Sequence, residues 1–222
     1  MEDFMYHTLL FDLDGTIINS KEGITKSAQY ALSFFDIHES DLDKLEVFIG
    51  PPLGQSFQEY YHLSDEQTKK AVTLFRERYA SIGVYENEVY DGIEDLLASL
   101  KETGKKIALA TSKPENFAIA ILEKYNLSSY FDLIVGSKLD GSRDSKKEVI
   151  EEVFHRLSYS ETDRKECIMI GDRKHDILGA AACNIDSIGV RYGFSTGQEL
   201  EETNATFVLE SVQELKQFLL TH

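Results

Sequence analysis

Apolar residues between about residue 18 and residue 85 recur three, four or seven positions apart, which is the spacing of amphipathic helices. One helix is predicted after Thr16 and a second after Ser64. No run in this region has the pattern of a strand, so we expect it to be all-helical. A Gly- and Pro-rich segment, residues 48–54, separates the two helices and is either a simple connection or a rigid loop that faces a substrate.

From Tyr90 onwards, short apolar runs alternate with helical segments. The predicted strands, including the one that precedes the helical region, are residues 8–11, 107–110, 131–135, 167–170, 187–190 and 206–209. They are apolar throughout rather than alternating, as in a parallel sheet covered on both faces. The pattern predicts a doubly wound, Rossmann-like α/β sheet. Residues 1–17 and 86–222 would form this core domain, and residues 18–85 an all-helical domain inserted after the first strand.

Polar residues directly follow three of the predicted strands: Asp12 and Asp14, Thr111 and Ser112, and those from Gly171 to Asp176. A lysine pair, Lys146 and Lys147, begins a helix after the strand 131–135. In open parallel sheets, ligands bind at the carboxyl ends of the strands. The fold would therefore bring carboxylates, hydroxyls and a cation into one crevice.

Asp12 and Asp14 lie two positions apart, directly after the first strand, and Gly15 permits a sharp turn behind them. Period-2 geometry places both carboxylates on one side if the strand continues. Two carboxylates held close together repel each other, and a divalent cation is the usual remedy. An acidic turn with no metal is the alternative explanation of this short segment.

The formal net charge of −16 and a pI near 4.8 argue against binding of nucleic acids or of anionic membrane surfaces. A small anionic substrate stays compatible, because a metal and a few lysines decide the local field. The two cysteines form no CxxC motif and the histidines form no HExxH, so no zinc site is indicated. The acidic residues 1–4 do not resemble a signal peptide, and no apolar run is long enough to span a membrane. A cytoplasmic protein is expected.

Taken together, these motifs resemble those of the haloacid dehalogenase superfamily, on its phosphatase side. The matching residues, in order, are Asp12-Leu13-Asp14-Gly15-Thr16, Thr111-Ser112, a following lysine, and Gly171-Asp172-x-x-x-Asp176. The resemblance covers essentially the whole chain and includes a small helical cap after the first motif. Residues 136–150 look most like a phosphoglycolate-phosphatase-like branch that contains bacterial 5′-nucleotidases.

The resemblance implies a Mg²⁺-dependent hydrolase that acts on a small phosphorylated metabolite through an aspartyl-phosphate. Asp12 would be the nucleophile, and Asp14 would protonate the leaving oxygen and then activate water. Asp12, the backbone carbonyl of Asp14, and Asp172 would hold Mg²⁺, with Asp176 a direct or water-mediated partner. Mg²⁺ suits this site because all of these ligands are oxygens.

The resemblance also implies how the phosphoryl group is bound. Thr111 or Ser112 would donate a hydrogen bond to a phosphoryl oxygen. Lys146 would balance the charge of the nucleophile and the phosphate. Lys147 is the competing candidate, and the spacing from Arg143 favours Lys146.

Several of these residues have an alternative structural role. Ser112 with Glu115 has the spacing of a helix capping box. Arg173, Lys174 and His175 are expected to form a solvated turn. Four aromatic residues are expected to fill the core of the helical region rather than to stack on a base: Tyr60, Tyr61, Phe75 and Tyr79.

Two other functions are open. A phosphosugar mutase would keep both Asp12 and Asp14 but return the phosphoryl group to its substrate. A catalytically retired binding or regulatory protein would have no need of Asp14. The sequence does not indicate which phosphate ester is bound, and phosphoglycolate, a nucleoside 5′-monophosphate and a sugar phosphate are all compatible. It does not indicate an oligomeric state either.

Overall fold

The computed structural model describes residues 5–222. Residues 1–4, on which the expectation of no signal peptide rests, lie outside the described residues. The chain divides into two compact units. One unit contains the described residues up to Ile18 together with Val89–His222, and the other is Asn19–Glu88.

A six-stranded sheet lies at the centre of the first unit. The strands of the described chain are β1 (Thr8–Phe11), β2 (Ile18–Asn19), β3 (Glu88–Val89), β4 (Lys106–Pro114), β5 (Leu133–Ser137), β6 (Cys167–Gly171), β7 (Asp186–Val190) and β8 (Phe207–Leu209). The sheet has the order β5-β4-β1-β6-β7-β8, and its strands are parallel. The two-residue strands β2 and β3 form a separate small sheet. The predicted doubly wound α/β core is confirmed.

Helices follow most of the strands. They are α1 (Lys21–Ser33), α2 (Leu53–Tyr61), α3 (Asp65–Ser81), α4 (Ile93–Glu102), α5 (Glu115–Lys124), α6 (Lys146–Leu157), α7 (Glu161–Arg164), α8 (Lys174–Ala182), α9 (Glu199–Glu202) and α10 (Val212–Thr221). Short 3₁₀ segments occupy Leu42–Phe48, Gly83–Tyr85 and Ser128–Tyr130. Within the described residues, no helix is both long and apolar enough to cross a membrane.

The central strand β1 is buried along its whole length. Leu9 aligns with Ile107 of β4 on one side and with Ile168 of β6 on the other. All three side chains are fully buried, which explains why these strands are apolar without alternation. Each such side chain contributes about 1.5–3 kcal/mol by leaving water. The carboxyl end of β1 is therefore held rigidly between two neighbours.

The structure differs from the sequence prediction after Ala110. The predicted strand ends at residue 110, but β4 continues to Pro114, and its register with β5 shifts between Ala110 and Pro114. A register shift of this kind changes the local twist of a strand without ending it. The start of α6 has a local signal, because Ser145 and Glu148 lie three positions apart and form a capping box.

The second unit, Asn19–Glu88, is built from helices. Helix α1 packs against α3 and against the 3₁₀ segment Leu42–Phe48. Phe48 packs on Phe57 of α2 with a ring separation of 4.6 Å. Phe75 and Tyr79 are buried, so these two aromatic residues belong to the core as expected. The same expectation is wrong for Tyr60, which is 48% exposed, and Tyr61 is half-buried. Helix α2 was not predicted. Residues 48–54 were expected to connect two helices, but α2 already begins at Leu53 within this segment.

Candidate active site

Asp12, the candidate nucleophile, directly follows the last residue of β1. Its backbone N–H donates to the Ile170 carbonyl at 2.9 Å, which ties it to the end of β6. Asp12 is 6% exposed, so its carboxylate is largely shielded from bulk water. The chain then turns at Gly15, whose φ is +79°. Three acidic side chains meet next to this turn.

Asp12, Asp172 and Asp176 form a buried acidic cluster. One carboxylate oxygen from each lies within 4.8 Å of the other two. Asp172 follows β6, and Asp176 lies in the first turn of α8. Burial first, and then the charges of Asp176 and Asp12, raise the pKa of Asp172 well above its ordinary value. Burial also raises the pKa of Asp176, although Lys146 opposes the shift.

The chemistry of this cluster fits a hard divalent cation. Asp172 Oδ2 accepts a hydrogen bond from the Phe194 N–H at 2.6 Å, but its Oδ1 is buried and has no hydrogen-bond partner among the described residues. A buried carboxylate oxygen left in this way is costly unless a cation or a donor satisfies it. The donor set is all oxygen, which is the preference of Mg²⁺.

Glycines make the close approach possible. A Cβ atom on Gly15 would lie 2.0 Å from Asp172 Oδ2, and one on Gly193 would lie 2.3 Å from the Gly15 carbonyl oxygen. A Cβ atom on Gly171 would lie 2.2 Å from Asp176 Cγ. The acidic cluster therefore occupies space that only glycine leaves open.

Lys146 is the cation of the cluster. Its Nζ lies 2.8 Å from Asp12 Oδ1 and 2.8 Å from Asp176 Oδ1, and it donates to the Ala110 carbonyl at 2.9 Å. Burial opposes its charge, but Asp12 and Asp176 outweigh this effect and raise the pKa of Lys146. Lys147 is exposed. Of the two candidate lysines, the structure brings Lys146 to the carboxylates.

Thr111 and Ser112 lie on the part of β4 beyond residue 110, where the predicted strand ended. Thr111 is buried, and its Oγ1 accepts the Lys113 N–H at 3.2 Å. Ser112 is half-buried. Helix α5 begins after Pro114 and has no side-chain cap, so Ser112 does not form the capping box with Glu115 that its spacing allowed.

Sequence reasoning missed Lys113. Its Nζ lies 2.7 Å from Asp14 Oδ2, and the two side chains are 5% and 11% exposed. In a strand that continues past Ala110, residues 111 and 113 lie on the same side, so Lys113 would be expected beside Thr111. The predicted strand ended at residue 110, and Lys113 was therefore not considered.

The expectation of a solvated turn at residues 173–175 is wrong for Arg173. Its side chain is 14% exposed, and its Nε lies 3.1 Å from Glu199 Oε1. The same oxygen accepts the Lys174 N–H at 2.7 Å. Glu199 therefore braces the segment between Asp172 and Asp176, and α9, which carries it, was not predicted.

The site thus combines four carboxyl groups with two buried ammonium groups, and Lys146 contacts Asp12 and Asp176 while Lys113 contacts Asp14. The excess of carboxylates is suited to a divalent cation, and a cation beside Lys146 would in turn attract an anion such as a phosphoryl group. The site can therefore hold a metal, a phosphoryl group and a nucleophilic carboxylate together.

Comparison with known proteins supports this chemistry. The profile of the haloacid dehalogenase-like hydrolase family matches residues 9–190. A 5′-nucleotidase from Pseudomonas aeruginosa is 43% identical over 98% of this chain and 97% of its own length. A phosphoglycolate phosphatase from Colwellia psychrerythraea is 30% identical over 93% of this chain and 94% of its own.

Other relatives include a protein kinase and a further phosphatase. The tyrosine-protein kinase PtkA from Mycobacterium tuberculosis is 33% identical over 95% of this chain and 72% of its own length. The crystal structure of a predicted phosphatase from Clostridium acetobutylicum superposes with a TM-score of 0.93 at 46% identity, covering 98% of this chain and 100% of that one. The chain therefore belongs to the haloacid dehalogenase-like hydrolase family and is an enzyme of its phosphatase type.

Proposed function

We propose that this enzyme hydrolyses phosphate monoesters of small metabolites with the help of Mg²⁺ and through an aspartyl-phosphate on Asp12. The observation that carries the proposal is the buried cluster of Asp12, Asp172 and Asp176, with the Lys146 ammonium 2.8 Å from two of its carboxylates. Such an arrangement stabilises transferred phosphoryl groups by position and charge.

Asp12, Asp172, Asp176 and the backbone carbonyl of Asp14 would hold the metal. Bound there, Mg²⁺ would neutralise charge on the phosphoryl oxygens and orient them. The Asp172 Oδ1 atom, buried without a hydrogen-bond partner among the described residues, supports this assignment.

In the first step, an Asp12 oxygen attacks phosphorus. A bond forms between this oxygen and phosphorus while the bond from phosphorus to the ester oxygen breaks, and Asp14 gives its proton to the departing oxygen. In the second step, Asp14 takes a proton from a water molecule as the water oxygen attacks phosphorus. The bond between Asp12 and phosphorus breaks, and inorganic phosphate and the free carboxylate are released.

Thr111 and Lys146 would hold the phosphoryl group during both steps. The Thr111 hydroxyl oxygen already accepts the Lys113 N–H, so its own proton is directed elsewhere and can be donated to a phosphoryl oxygen. Ser112 is the second hydroxyl of this segment and would assist it. The Lys146 ammonium would offset the negative charge shared by Asp12 and the phosphoryl group.

Nucleoside 5′-monophosphates and phosphoglycolate-type esters are the proposed substrates, because relatives with nearly full-length matches carry these names. The helical unit Asn19–Glu88, which corresponds to the predicted insertion, is proposed to act as a cap domain that excludes water and selects substrates. We place the reaction in the cytoplasm, since the two cysteines are unpaired, as is usual in a reducing compartment.

Release of inorganic phosphate from a panel of metabolite monoesters, measured with Mg²⁺ and with a chelator, tests the proposal. We expect metal-dependent release from one class of ester and no release by the Asp12→Asn variant. Transfer of phosphate between positions of a sugar without release would identify a mutase. Binding of a monoester with no turnover at all would identify a retired binding protein. Release that a chelator leaves unchanged would contradict the Mg²⁺ mechanism.

A further inference from the structure

The site contains a buried ion pair, between Lys113 and Asp14, in which Lys113 has no role in the proposed reaction steps. Lys113 Nζ lies 2.7 Å from Asp14 Oδ2, and the two side chains are 5% and 11% exposed. Asp14 is the proposed acid and base, so a group in direct contact with its carboxylate affects how it meets the substrate.

The backbone places Lys113 firmly. Its N–H donates to Thr111 Oγ1 at 3.2 Å within the irregular end of β4. On the neighbouring strand, a Cβ atom on Gly136 would lie 2.6 Å from the Lys113 carbonyl oxygen, so β5 approaches this residue as closely as glycine allows. The ammonium therefore extends from a fixed position.

The contact distinguishes the two oxygens of Asp14. Oδ2 is bound to the ammonium, whereas Oδ1 is buried and has no hydrogen-bond partner among the described residues. A carboxylate held by one oxygen cannot rotate freely, and its other oxygen keeps a defined direction.

We propose that Lys113 is a positioning residue that holds Asp14 by Oδ2 and so presents Oδ1 to the leaving oxygen of the ester. The inference rests on the proposed function, because it needs Asp14 to transfer the proton. Stability alone explains the pair poorly, since a buried ion pair adds little to folding compared with apolar side chains of the same size.

Substrates with different leaving groups separate positioning from a general effect. An alkyl phosphate needs a proton on its leaving oxygen, whereas p-nitrophenyl phosphate releases a stabilised anion without one. We expect Lys113→Met to lower the single-turnover rate of enzyme phosphorylation by the alkyl ester about 10- to 100-fold more than the rate with p-nitrophenyl phosphate, because only this first step involves the leaving oxygen. The matched control is Lys147→Met, which changes an exposed lysine in the same way. This variant should change neither rate.

A double variant guards against misfolding of Lys113→Met, which leaves a buried carboxylate unpaired. Asp14→Asn with Lys113→Met removes both charges and should be about as slow as Asp14→Asn alone, because Lys113 acts only through Asp14. Single-turnover phosphorylation of the enzyme by the alkyl ester measures both variants. A clear further loss in the double variant would overturn the proposal.

Failure of this inference is distinguishable from failure of the proposed function. If the wild-type enzyme releases phosphate from neither ester, the proposed function itself is wrong. If the wild type is active and Lys113→Met slows the phosphorylation step equally with both esters, or with neither, Lys113 is a structural residue only. The rise in melting temperature on adding Mg²⁺ should persist in Lys113→Met, and its loss would show a disrupted site rather than a misplaced Asp14.

Discussion

The backbone N–H of Phe194 donates a hydrogen bond of 2.6 Å to Asp172 Oδ2 and leaves Oδ1 of the same carboxylate without a hydrogen-bond partner among the described residues. Phe194 follows β7, so a loop on one strand orients a side chain on the next. One oxygen is thereby fixed by the protein, and the other is left for a ligand. The arrangement makes the behaviour of Asp172 a direct test of the metal site.

Asp172→Asn should stabilise the metal-free protein and abolish its stabilisation by Mg²⁺. The raised pKa of Asp172 means that its charged form opposes folding above the unfolded-state pKa, and that acid relieves the penalty as pH falls through the folded-state pKa. Mg²⁺ at one hundred times its dissociation constant should stabilise the wild type by about 2.7 kcal/mol. Melting temperatures with Mg²⁺ and with a chelator measure both effects. An unchanged response of the variant to Mg²⁺ would remove Asp172 from the metal site.

Glu199→Gln should weaken Mg²⁺ binding although Glu199 is not a proposed ligand. The side chain holds Arg173 and the Lys174 N–H, which lie between Asp172 and Asp176. Mutation of a residue that orients metal ligands typically lowers the metal affinity about 10- to 100-fold. Titration of Mg²⁺ by calorimetry measures the change, and Glu202→Gln on the exposed side of the same helix is the control. Equal Mg²⁺ affinities in the two variants would show that the contacts of Glu199 with Arg173 and Lys174 do not affect metal binding.

Gly15→Ala should cost far more stability than the same change at Gly141. Both glycines have positive φ, +79° and +77°, so both variants lose about 1–2 kcal/mol from the backbone alone. Only the Gly15 variant would drive a methyl group to 2.0 Å from Asp172 Oδ2, whereas nothing lies within 4 Å at Gly141. Denaturant unfolding compares the two, and similar losses would mean that the packing around Asp172 yields easily.

Lys146→Met should lower both stability and turnover, whereas Lys147→Met should leave both unchanged. Removing the ammonium leaves Asp12 and Asp176 facing each other, and breaking one partner of a buried pair costs about 3–5 kcal/mol. Mg²⁺ should restore part of the stability but not the turnover, because the phosphoryl group would still lack its counter-charge. Unfolding with and without Mg²⁺, together with phosphate release, separates these contributions. Normal turnover in Lys146→Met would contradict its proposed role.

The thiols of Cys167 and Cys183 should be unreactive in the native protein. Burial is the main cause that raises the pKa of Cys167 to about 12 and that of Cys183 to about 11. Both thiols are therefore protonated in the folded state, and their contribution to stability is present below the unfolded pKa of about 8.5 and is lost as pH rises above it. A disulfide reagent at pH 8 should label neither residue until denaturant is added. Rapid labelling of the native protein would contradict the burial of both thiols.

The sequence predicted the elements whose pattern is local. The run of residues 8–11 coincides with β1, and Ser145 with Glu148 marks the start of α6, because burial and capping leave their mark on neighbouring positions. Asp12 and Lys146 were likewise found from their places after strands. Their contact could be expected only from the order of strands in a parallel sheet.

The residues that were missed depend on distant parts of the chain. Lys113 was missed because the predicted strand ended at residue 110, whereas β4 pairs with β5 as far as Pro114 after a register shift, and the alternation of residues 111 and 113 has meaning only once that continuation is known. Glu199 lies in a four-residue helix, too short for a periodic pattern, and its importance comes from Arg173. The contribution of Phe194 is a backbone N–H, which any residue type but proline would supply.

The central place of β1, between β4 and β6, has a consequence for the moment at which the enzyme becomes active. Asp12 is made before its partners Lys146, Asp172 and Asp176, which come from segments far later in the chain, and Phe194 follows them. A growing polypeptide therefore carries Asp12 without these partners until the later segments have been made. With Asp12 as the proposed nucleophile, activity should appear only after β1 has paired with β4 and β6, so its appearance would report assembly of these segments rather than the presence of Asp12.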